Sequence, residues 1–187
     1  MKYALSSIVL MMLGISAAAD AADAAATPLE AIEARQAIDQ LLTGDYPRAL
    51  DQRHWAEYAA LFTSDGKLTF AGRTLEGAAA IEKFFVNFRP PGAGPPPRPG
   101  EIRTMHIVSN LSFKIDGDTA VGSAYWQTIG LSDGHPAVLS AGHYEDVLKK
   151  VNGHWKFAKR VIASDLARPP APPAGSTPTP GSTPAPK

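Results

Sequence analysis

From Ile102 to Ile162 the chain alternates apolar and polar residues in four long runs. The alternation predicts strands over Thr104 to Ile115, Thr119 to Leu131, Ala137 to Lys150 and His154 to Ile162. Asp116-Gly117, Asp133-Gly134 and Asn152-Gly153 close the first three runs. Asp-Gly or Asn-Gly between alternating apolar runs is the strongest short-range hairpin signal. The strands therefore form a consecutive antiparallel meander. Everything before them reads as helical, apart from short strands at Lys67 to Phe70 and Arg73 to Leu75. Helices first and hairpins last predict an α+β domain, a long curved sheet with helices on one face enclosing an apolar interior.

The helical half is punctuated by proline and glycine. Pro28 suits a first turn, where its missing N–H costs nothing. Leu29, Ile32, Ile38, Leu41 and Leu42 recur at helical spacing up to Thr43. A second helix is expected from Asp45 or Tyr46 to about His54, with Pro47 kinking any continuous helix. A third piece, Trp55 to Phe62, ends at Thr63-Ser64-Asp65-Gly66, which has turn chemistry. Gly77 opens another helix with Ile81, Phe84, Phe85 and Phe88 as its apolar positions. Arg89 to Gly100, RPPGAGPPPRPG, reads as a loop between helix and sheet, a lid or entrance rim or a plain surface insertion.

The ends differ in composition from this domain. Lys2, the apolar run Ile8 to Ile15 and the alanines that follow read as a signal peptide, residues 1–24, cleaved between Ala18 and Ala26. The run is shorter than the ~20 residues a spanning helix needs, so no stable membrane insertion is expected after cleavage. A periplasmic or secreted protein follows. Eight of the seventeen prolines fall between Pro169 and Pro186, without large apolar residues. Residues 166–187 are therefore expected to be a disordered tail, leaving a domain over 27–165.

Composition removes several functions. There is no cysteine, hence no disulfide, thiolate catalysis or cysteine metal site. Eighteen basic residues balance eighteen acidic ones, which argues against nucleic acid as a partner. No phosphate-binding glycine loop, G-x-S-x-G elbow or H-E-x-x-H pair occurs. The five histidines are scattered, and no metal site is expected. An Arg such as Arg160, on the last strand, is expected to be solvated.

Four stretches resemble one family in the right order. DYPRALDQRHWAEYAALFTSDGKLTF (45–70) resembles the opening of SnoaL-like domains in the NTF2-like superfamily. RTLEGAAAIEKFF (73–85) is similar to its G-x-x-x-I-x-x-F helix. IRTMHIVSNLSFKIDGDTAVGSAYW (102–126) is similar to its central His-x-x-x-Asn strand. SAGHYEDVLKKVNGHWKFAKRVI (140–162) is similar to its last hairpin. The resemblance implies an α+β cone, often dimeric. It also implies a kinship with scytalone-dehydratase-like and bile-acid-dehydratase-like proteins, through an Asp ending the first long helix and a His on the central strand. Those positions are Asp51 and His106. The bile-acid group has a Tyr five residues before the Asp, matching Tyr46. The second His of scytalone dehydratase would fall near Gly130, which has no side chain.

The residues fit that chemistry. Strand phase places His106, Val108, Asn110 and Ser112 on one face. A carboxylate partner holds a His in one tautomer and makes it a better base. A phenol, Tyr46 or Tyr144, could hydrogen-bond a carbonyl oxygen as charge develops. Asn110, Tyr144 and Trp55 are expected to line a small apolar substrate. The chemistry needs no metal or organic cofactor. The expectation is a homodimeric lyase (dehydratase) or isomerase. The alternative is a ligand-binding or scaffold module without turnover.

Overall fold

The computed structural model describes residues 27–88, 98 and 101–167. The leader, nearly all of the 89–100 loop and the tail beyond Ala167 lie outside the described residues. Helix α1, Pro28–Gln40, starts at a capping box. The Thr27 hydroxyl accepts from the Glu30 N–H, and the Glu30 carboxylate accepts from the Thr27 N–H at 2.7 Å. Where a kink at Pro47 was expected, the helix instead passes through a π-helical turn, Leu41–Asp45, into α2, Tyr46–Asp51. The Tyr46 N–H reaches back to the Leu41 carbonyl. Pro47 has no N–H to give and would crowd the carbonyl one α-turn back, and the wider turn relieves both problems. It keeps Leu42, Tyr46 and Ala49 all in the core. A short helix, α3, covers Trp55–Ala60.

Strand β1, Phe62–Phe70, starts earlier than the turn residues suggested. Thr63 to Gly66 form an irregular bulge: Phe62 pairs with Phe157, and regular pairing resumes only at Lys67 with Lys159. Strand β2, Arg73–Glu76, folds back on β1, and α4, Ala78–Asn87, follows. Then come β3, Thr104–Asp116; β4, Thr119–Ser132; β5, His135–Val151; and β6, His154–Ala167. The last strand runs two residues past the expected domain end. Asp133-Gly134 and Asn152-Gly153 take positive φ at both positions, the turn that matches strand twist.

The sheet order is β2-β1-β6-β5-β4-β3. Strands β3 to β6 form the expected antiparallel meander, but the whole sheet is mixed and open, because β1 joins β6 in parallel. The free edge of β6 would otherwise present unpaired backbone groups, and the β1–β2 hairpin covers it. Bulges bend the long strands. In β3, Asn110 and Leu111 stand against one residue of β4, with Asn110 at φ 53°. In β6, the chain bulges between Ser164 and Leu166 opposite Gly142, where any Cβ would run into the Ala163 carbonyl.

One face of the sheet carries the core. Ala120, Ala124 and Trp126 of β4 and Tyr144, Asp146 and Leu148 of β5 are buried in strict alternation. Ile38 and Leu42 close over them from the helical layer.

Candidate active site

Asp51 is the last residue of α2 and His106 the third of β3, two elements that pack together. Asp51 Oδ1 lies 2.6 Å from His106 Nδ1. Its other oxygen, Oδ2, accepts the His106 backbone N–H at 3.0 Å. Both carboxylate oxygens are thus committed to one residue, and the imidazole is held at ring and backbone. A carboxylate on Nδ1 favours the tautomer with hydrogen there, leaving the lone pair on Nε2. Nε2 has no hydrogen-bond partner among the described residues. The side chains keep 18% and 12% of their surface exposed, so the pair is desolvated yet reachable.

The other expected site residues lie elsewhere. Tyr46 is fully buried, and the Tyr58 hydroxyl stands 3.4 Å from its own. Tyr144 is buried edge-on to Tyr46 and stacked on Trp126. Trp55 is half-buried at the start of α3, stacked on Phe85 of α4. Asn110 does not share the His106 face. The bulge inserts one residue, so the inward phase shifts from even positions to odd, and Asn110 is exposed while Leu111 and Phe113 turn toward the core. The expectation that Asn110 and Ser112 lie beside His106 is therefore corrected.

The centre of the interior holds a group the sequence reading placed in solvent. Arg160 and Asp146 are both fully buried, paired through Nε at 2.8 Å and Nη2 at 2.6 Å. The guanidinium lies 4.1, 3.9 and 4.0 Å from the ring centres of Tyr46, Tyr144 and Phe157. Burial works against its charge, but the charge of Asp146 and its hydrogen bonds outweigh that and hold Arg160 protonated. Its third nitrogen, Nη1, is buried without a partner. Burial, with the neighbouring Tyr46, pushes the Tyr58 phenol well above its usual range. Tyr144 is raised for the same leading reason. The Tyr58 and Tyr144 phenols thus stay protonated at neutral pH. A signal for this pair existed: Asp146 falls in phase with Tyr144 and Leu148, a charge on the apolar face, and an unpaired charge is not left there.

The sequence profile of the SnoaL-like domain family matches residues 30–161. The chain is a member of the SnoaL-like domain family. Solved structures agree with this fold. An NTF2-like protein with a cystatin-like fold from Novosphingobium aromaticivorans is 18% identical, TM-score 0.61, covering 73% of this chain and 84% of that one. A scytalone dehydratase candidate from the same organism is 26% identical, TM-score 0.58, covering 73% and 87%. A type 2 hexachlorocyclohexane dehydrochlorinase is 20% identical, TM-score 0.59, covering 78% and 99%. No curated protein matches the chain.

Proposed function

We propose that this protein is a cofactor-independent lyase, of dehydratase type, or an isomerase acting on a small apolar carbonyl or hydroxyl compound. The observation that carries the reading is the twofold hold of Asp51 on His106, with Nε2 unpartnered among the described residues. His106 Nε2 takes a proton from the carbon next to the carbonyl, and the electron pair moves onto the carbonyl oxygen as an enolate. In a dehydration the enolate reforms the carbonyl, the β C–O bond breaks, and the imidazolium proton leaves with the hydroxyl as water. In an isomerisation the same proton returns to another carbon. Asp51 orients the ring and stabilises the imidazolium. A polarising role for Tyr46, five residues before Asp51, is proposed to require that the ligand displace the Tyr58 hydroxyl from its own, since the Tyr46 side chain is fully buried. The kinds of reaction named for the dehydratase candidate and the dehydrochlorinase are eliminations, which fit this scheme.

A ligand-binding or dimeric scaffold module without turnover is the second reading, and the dense packing of Tyr46, Tyr58 and Tyr144 around Arg160, which fills the interior with side chains, favours its scaffold form. In both readings the protein is proposed to be exported, on the leader sequence, and to dimerise through the outer sheet face. That face carries exposed Met105, Ile107, Tyr125 and Val121.

The test is a panel of β-hydroxy carbonyl and enone compounds, followed by absorbance and mass spectrometry. His106→Ala is expected to lower turnover about a thousandfold or more, the upper part of the range for a lost general base. Asp51→Asn costs less, because shape is kept while tautomer control is lost. Unchanged turnover in His106→Ala refutes the mechanism. Binding without turnover across the panel gives the lead to the second reading.

A further inference from the structure

At the corner formed by β1, β2 and α4, a cavity of about 640 Å³ opens to solvent, and neither Asp51 nor His106 lines it. Its apolar wall is Phe70, Phe84 and Phe88. Phe84 meets Phe70 edge-on at 5.5 Å and stacks on Phe88 at 5.0 Å. The rim carries Arg73, Lys83 and Asn87. Arg73 stands 5.2 Å over the Phe84 ring. Among the described residues, neither Arg73 nor Lys83 has a carboxylate within ion-pair distance.

Two cations with no counter-charge among the described residues, beside a partly exposed aromatic wall, specify a ligand chemistry. An aliphatic ligand leaves the cations unused, and a free inorganic anion leaves the rings unused. A flat ring packs against the wall of Phe70, Phe84 and Phe88, while a carboxylate on its edge receives charge-assisted hydrogen bonds from Arg73 and Lys83. The volume lies within the range of small-molecule sites, about 300–1,000 Å³. We infer that this corner is a binding site for a planar aromatic carboxylate, separate from the Asp51–His106 site and independent of the chemistry proposed there.

The probe is 2-naphthoate, titrated calorimetrically into the full chain at low salt. One saturable site is expected. Neutral 2-naphthylmethanol and non-aromatic cyclohexanecarboxylate should each bind about tenfold weaker or worse, since each lacks one of the two contacts. Arg73→Gln and Lys83→Gln should each weaken binding roughly fivefold. Lys114→Gln, which makes the same charge change on β3, should leave it unchanged. His106→Ala should also leave it unchanged. The inference is overturned by no saturable binding at millimolar probe, or by a double Arg73→Gln, Lys83→Gln variant that binds as well as the parent. It is equally overturned if His106→Ala abolishes binding, which places the probe at the other site.

Discussion

Replacing Asp146 by Asn tests how the interior is held together. The substitution keeps size and one acceptor but removes the charge that faces Arg160. In the parent, the guanidinium and the carboxylate have no exposed surface and share two short hydrogen bonds, 2.8 and 2.6 Å. Removing one member of such a pair leaves an uncompensated buried charge, at a cost of about 3–5 kcal/mol. Asn retains partial hydrogen bonding, and the three rings around Arg160 still attract the cation, so the lower end, about 3 kcal/mol, is expected. For a domain of this size each kcal/mol moves Tm by about 2–4 °C, hence a fall on the order of 10 °C. Circular dichroism melts and urea titrations measure it. The double variant Arg160→Met, Asp146→Leu removes both charges and fills similar volume with apolar groups. It should recover most of the loss, because desolvation of the pair no longer has to be offset. The reasoning is refuted if Asp146→Asn costs under about 1 kcal/mol, within the range of an exposed pair. It is also refuted if the double variant is less stable than the single one.

Two further outcomes follow from the same structure. Tyr58 and Tyr144 have phenol pKa values raised by burial, so stability present below about pH 10, the unfolded phenol value, is lost as pH rises above it. Titration at 295 nm should show two phenols ionising together with alkaline unfolding, and early, reversible ionisation of all the tyrosines would contradict this. Light scattering at micromolar concentration should give twice the mass of one chain, with Tyr125→Glu shifting it toward a monomer, whereas a monomeric parent removes the proposed interface.

The strands, their hairpins and the first helix were legible because their causes are local. Alternation, Asn-Gly and Asp-Gly turns, and Thr27 with Glu30 act within a few residues. The family was legible for the same reason, as four short stretches in order. Tertiary structure decided the rest. Asp51 and His106 are 55 positions apart, and only the packing of α2 on β3 brings them together. The bulge at Asn110 reversed the phase of half a strand, because a period of two carries no memory across an inserted residue. The fate of Arg160 depended on Asp146 standing opposite it in register. Charge by itself points to water, and only a partner on the neighbouring strand makes the interior the better place.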